Sequence, residues 1–260
     1  MKTLLLVSRY TATPLPAYLC FMQIFLKAHW QHLVMANYAV EPALLQPYLP
    51  AGVELDLHQN AAWVSLVGFR FLGTRLFGVP IPWLGNFEEV NLRFYVVRRE
   101  GAETRRGVVF LNETVPHRTV AWVANALYSE HYTAMPVTHT IRTQAGELEV
   151  HYSWKKARRW NHLAVKAATT AEPQQPDSFE SFIFEHYFGY TRIDAQQSEE
   201  YRVNHPSWTV HPVCQYAIDC DFGAMYGAPF AHLGQQQPHS VFLATGSDVT
   251  VDWKRRRFRQ

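Results

Sequence analysis

"NFEEVNLRFYV", Asn86 to Val96, carries two different faces. In an extended strand successive side chains point to opposite sides, so Glu89, Asn91, Arg93 and Tyr95 share one face while Val90, Leu92, Phe94 and Val96 share the other. The apolar face belongs to a core. The row of acid, amide, guanidinium and phenol faces either open water or the inside of a cavity built to hold something polar.

Around this strand the pattern is mostly extended. "AAWVSLVGFRFLG" before it is rich in Val, Phe and Trp and reads as a strand with one wholly apolar and one mixed face. "VVRREGAETRRGVVFL" after it is a hairpin of two Val-rich runs about a charged, Gly-containing turn, and "THTIRTQAGELEVHYSWK" is a second hairpin about Gly146. Helical spacing predicts three helices. Pro42 starts a short one that Pro50 and Gly52 end, with Leu44 and Leu45 inward. Val120, Val123, Ala124 and Leu127 place another, with Thr119 among its starting caps, and Phe179, Phe182, Ile183 and His186 share one side of a third behind the loop Glu172 to Asp177. "YLCFMQIFLKAHWQH" is also expected to be helical, turning extended near Leu33 to Val40. Residues 1–17, ending in "TATPLP", form a loosely ordered lead-in, and residues 18–260 a single domain. The segments around Tyr201 to Cys220 and Ser240 to Trp253 read as extended. The class is α+β, dominated by antiparallel strands.

Composition narrows the function. Charged residues are 18% and aromatic residues 14% of 260, with eight tryptophans, which suits a packed β-rich interior. A formal charge of +2 implies no strong field for nucleic acid or anionic membrane. The basic runs "KKARRW" and "KRRRFR" read as a solvated turn and a chain end. Cys20, Cys214 and Cys220 form no Cys-x-x-Cys pair, which points to a reducing compartment. No apolar run is long enough to span a bilayer, so the expectation is a soluble cytoplasmic protein. Dinucleotide, Walker, serine-hydrolase and His-Glu-x-x-His signatures are absent. Thirteen histidines match no zinc spacing, and neither metal nor other cofactor is expected.

The polar row is therefore the main candidate site. Arg93 is placed to bind a carboxylate or other polar group, with Glu89 holding its guanidinium and Asn91 and Tyr95 beside it. Two functional classes follow. One is a small-molecule binding protein whose ligand is a polar or anionic organic molecule. The other is an enzyme in which Glu89 is general acid or base, with His131 or Tyr132 as partner. A third, a protein-interaction role, is prompted by the loop "FGVPIPW", Phe77 to Trp83, although a pocket lid would have the same composition.

The residues "FLKAHWQHLVMANYAVEPALLQPYLPAGVELD", the strand "FEEVNLRFYV", "HPSW" at His205 to Trp208 and "VDW" at Val251 to Trp253 resemble the bacterial YqjF-like proteins, a domain family of unknown function distantly related to acetoacetate decarboxylase. The resemblance spans roughly Phe25 to Trp253. It implies an antiparallel β cone or barrel with flanking helices and an internal pocket. Acetoacetate decarboxylases carry a Pro-Lys-Lys segment whose first lysine forms a Schiff base with the keto acid. The matching stretch here is "YTAMPVTHT", where Val137 and Thr138 fill the lysine places, so decarboxylase chemistry is not expected. Lys155 and Lys156 are adjacent but sit in a turn-like basic context.

Overall fold

A computed structural model describes residues 24–128 and 130–259. The lead-in expected at residues 1–17 lies outside them. The first described element is one long strand, β1 (Ile24–Val40), which corrects the expectation of a helix over Ile24 to His32; residues 18–23 of that expected helix lie outside the described residues. The reason is burial on both sides: Leu33 and Met35 point into one apolar cluster, Val34, Ala36 and Tyr38 into another. A strand covered on both faces loses its alternation and reads as a continuous apolar run.

The short α1 (Pro42–Leu45) leads to β2 (Ala62–Leu76), β3 (Phe87–Glu100) and β4 (Glu103–Val115), which run antiparallel beside β1. The helix α2 (Arg118–Tyr128) begins one residue before Thr119, placing that threonine in its first turn. The short β5 (Tyr132–Ala134) then lies parallel to β4. Next come β6 (Val137–Gln144), β7 (Glu147–Lys156) and β8 (Arg159–Ala168), followed by α3 (Phe179–Phe184), which Ser178 caps by accepting the Ser181 N–H. The chain continues through β9 (Phe188–Arg192), β10 (Gln197–Asn204), β11 (Thr209–His211), β12 (Val213–Asp219), α4 (Phe222–Tyr226), β13 (Ser240–Asp252) and β14 (Arg256–Arg259).

Two sheets result. In the larger, hydrogen bonding runs β13–β1–β2–β3–β4–β9–β10 and returns to β13 through Val203 opposite Val251 and Asn204 opposite Thr250. The ring closes unevenly, because β9 meets β4 in parallel at only Phe188 opposite Gly107 and Gly189 opposite Val108. Gly189 is required there: a Cβ on it would lie 2.1 Å from the Tyr201 ring of the next strand. The smaller sheet, in the order β12–β8–β7–β6, lays Val150, Tyr152, Trp154, Leu163 and Val165 on the outside of the ring against Val64, Leu66, Leu92 and Phe94. The fold is α+β, with mostly antiparallel strands.

The inside of the ring has two halves. Aromatic side chains of α3 fill one: Phe179 packs on Trp63 with ring centroids 4.4 Å apart, and Phe182 packs on Tyr95 at 5.5 Å. The other half is left open under α2.

Candidate functional site

Glu89 is 2% exposed, Asn91 1%, Arg93 8% and Tyr95 1%, so none faces bulk water. Glu89, Asn91 and Arg93 line a cavity of about 190 Å³ inside the ring, walled by apolar side chains of β1 and β2 such as Leu33, Val67, Phe69 and Phe71. Val120, Val123 and Ala124 of α2 cover it, together with Ile81 of the Phe77 to Trp83 loop and Leu84 just after it. In that loop Trp83 is fully outside, at 97% exposure.

The polar pole of this cavity is larger than the β3 row. Glu113 of β4 stands directly opposite Asn91, and Tyr132 of β5 directly beside Glu113. Asn125 of α2 fixes Tyr132 from behind, since its amide donates to the Tyr132 carbonyl at 3.0 Å and its oxygen accepts the Tyr132 N–H at 2.7 Å. Glu130, between α2 and β5, completes the group and accepts from the Tyr201 hydroxyl at 2.7 Å and the Thr191 hydroxyl at 2.9 Å. Glu89 accepts from the Asn91 amide at 2.9 Å and from the Tyr132 hydroxyl at 3.1 Å.

Burial dominates the electrostatics of these three carboxyls. It pushes Glu89 up to about 7, against the pull of its bonds to Asn91 and Tyr132 and of the Arg93 charge. Burial likewise lifts Glu130 to about 7, with Glu89 and Glu199 adding repulsion and its hydroxyl donors opposing. Glu113 is held well above the carboxylate range by burial and by the charges of Glu130 and Glu89. Taking a carboxylate out of water disfavours its charged form, and like charges nearby compound the effect.

Several buried polar atoms of the lining have no partner among the described residues: Asn91 Oδ1, Arg93 Nε, Glu113 Oε2, Trp30 Nε1 and Thr74 Oγ1. A native interior pairs nearly all such atoms, so a group of orphans around one void marks where a ligand or water belongs.

The expected site residues are not all brought together. Glu89 does not hold the Arg93 guanidinium by a hydrogen bond; Arg93 Nη2 instead lies 3.7 Å from Met35 Sδ, and its carbon sits 5.7 Å from the Tyr95 ring centroid. Tyr95 is turned to the aromatic half, where its hydroxyl lies 2.6 Å from Ser65 Oγ. His131 is exposed and contributes only its carbonyl, which accepts from Asn112 and from the Glu113 N–H. Val137 is buried among the contacts between the two sheets and Thr138 is exposed, while Lys155 lies over Trp160 on the outer hairpin. Among the described residues, no lysine lines the cavity. Glu113 and Glu130 were missed by sequence reasoning. Glu130 offered one signal, adjacency to the "HY" pair already singled out.

An uneven antiparallel ring with a second sheet on its flank and a cavity inside places the chain in the acetoacetate decarboxylase-like fold class. An acetoacetate decarboxylase-like enzyme from Sphingomonas wittichii RW1 superposes with a TM-score of 0.60 at 10% identity, covering 92% of this chain and 95% of that one. The enduracididine biosynthesis enzyme MppR, complexed with pyruvate, gives 0.56 at 13% identity over 89% and 90%. Residues 27–248 match DUF2071, described as "Uncharacterized conserved protein", and the chain belongs to that family. The Bacillus subtilis (strain 168) "Uncharacterized protein YqjF" is 24% identical over 166 residues, which cover 62% of this chain and 65% of that relative. Among the described residues no helix is long and apolar enough to cross a membrane.

Proposed function

We propose that the cavity binds one small organic molecule, with its apolar body against β1, β2 and α2 and a polar head among Glu89, Asn91, Arg93, Glu113 and Tyr132. The observation that carries this is the set of unpartnered buried polar atoms gathered on the walls of one void. Its volume, about 190 Å³, is below the roughly 300–1,000 Å³ of pockets for drug-sized molecules, which fits a metabolite-sized guest. The pyruvate of the MppR complex supports small-molecule binding as a use of this fold. Binding without an imine step is supported by the described lining residues, among which there is no lysine.

A second reading is favoured by one specific observation: Glu89, lifted to about 7, is 3.1 Å from the Tyr132 hydroxyl. A general acid or base works best with its pKa near the operating pH, so Glu89 would move a proton on the bound molecule with Tyr132 as its partner. The test of binding is a set of short-chain amines, carboxylates and alcohols, screened by thermal shift and calorimetry against wild type and Ala124→Phe. Binding that is lost when Phe fills the cavity supports the reading. Binding that survives places the site elsewhere. Exchange of ligand C–H protons with deuterium from solvent, abolished by Glu89→Gln, separates the enzyme reading from simple binding.

A further inference from the structure

The polar pole is chemically lopsided. Glu89, Glu113 and Glu130 all line the cavity, whereas Arg93 is the only cationic side chain among the described lining residues. Hydrogen bonding points the same way. The side chains around these carboxyls donate to them: Asn91 and Tyr132 to Glu89, Tyr201 and Thr191 to Glu130. The acceptors left over are Glu113 Oε2 and Asn91 Oδ1, on side chains only 2% and 1% exposed and standing opposite one another on β4 and β3. They call for a donor. An acidic cluster alone would not define a ligand, but two orphaned buried acceptors on its cavity wall do.

We infer that the head group taken by the cavity is a protonated amine, seated between Glu113 Oε2 and Asn91 Oδ1, on an apolar body of metabolite size. This rests on the binding reading above and names its ligand class. An ammonium brings several N–H donors and no acceptor, which matches the two open acceptors, and its charge offsets the excess of carboxyls over guanidinium. A carboxylate head could meet the open donors Arg93 Nε and Trp30 Nε1, but it would leave both acceptors unmet and would enter a site where three acids already resist ionisation. Arg93, set back against Met35 and Tyr95, then balances part of the acidic charge instead of gripping the ligand. Glu199, the other acid acting on Glu130, is already paired with Arg255 and Arg257 outside the lining.

Proton linkage makes the inference measurable. A cation seated among carboxyls favours their ionised forms, so its binding at pH 7 releases protons to solvent, whereas an anion takes them up. The experiment titrates matched n-alkylamines, n-alkanoates and n-alkanols of two to eight carbons into the purified chain by calorimetry, at pH 7 in two buffers of different ionisation enthalpy. The expected result is an amine that binds at least about tenfold tighter than its matched alkanoate, with proton release. Glu113→Gln, and independently Glu130→Gln should the first variant fold poorly, weaken the amine about tenfold more than they weaken the matched alkanol. Tighter binding of an alkanoate, or amine binding without proton release, overturns the inference while leaving the cavity reading in place. Failure of all three series to bind overturns both.

Discussion

Replacing Glu89 by Gln removes one ionisable group from the cavity wall while keeping its shape and an oxygen to accept from Asn91 or Tyr132. Burial raises this carboxyl from its ordinary value of 4.5 to about 7 in the folded protein. The folded chain therefore binds a proton that the unfolded chain releases. The sign follows: wild-type stability relative to Glu89→Gln is highest below pH 4.5, falls as pH rises toward 7 and levels off above that. At 1.36 kcal/mol per unit the fall is about 3 kcal/mol, a ceiling because Glu113 and Glu130 titrate together with Glu89. His32 and His186, both depressed to about 4 by burial, give the opposite slope in both proteins and cancel in the difference. Urea unfolding of both proteins at pH 5, 6, 7 and 8 measures it. Parallel curves for the two proteins would refute the claim that Glu89 is desolvated in this cavity.

Arg93→Met removes the one charge that favours ionised Glu89, so the Glu89 carboxyl, followed by carbon-13 NMR, should titrate at higher pH; an unchanged midpoint would mean the guanidinium is not felt there. Gly189→Ala should destabilise by about 1–3 kcal/mol in thermal or urea unfolding, since its Cβ must displace the Tyr201 ring and with it the hydroxyl bonded to Glu130. Treatment with acetoacetate and borohydride should leave no stable adduct on any lysine, as judged by intact-mass spectrometry, because none lines the cavity among the described residues. A single adduct on Lys155 or Lys156 would return imine chemistry to consideration.

The two-faced strand and both hairpins were legible because their cues are local. Alternation in Phe87–Val96 needs one strand only, and the turns at Gly101 and Gly146, with φ of 60° and 83°, need only glycine. The residue types of the polar row offered the interior direction as one of two readings, and the burial of Glu89, Asn91 and Arg93 decides between them. What surrounds that row did not. Between Leu92–Asn112 and Arg93–Phe110 the register of β3 and β4 shifts, leaving Leu111 as an extra residue. Without that bulge Glu113 would stand opposite Val90, whose side chain packs toward the second sheet, and the carboxyl would be on the wrong face. Glu130 reaches the site only through the fold of α2 back over the ring, a long-range fact that no spacing encodes. β1 was misread for a related reason, since its second apolar face is explained by a sheet that the chain forms a hundred residues later.

The central claim is that the void beside Glu89, Asn91 and Glu113 is a ligand site, and a crystal structure with the tightest-binding member of the amine, alkanoate and alkanol series tests it most directly. The expected density is one molecule inside the ring, its body against Phe69 and Phe71 and its head within hydrogen-bond distance of Glu113 Oε2 or Asn91 Oδ1. Density for the same molecule outside the ring, with the cavity holding only water, would contradict it.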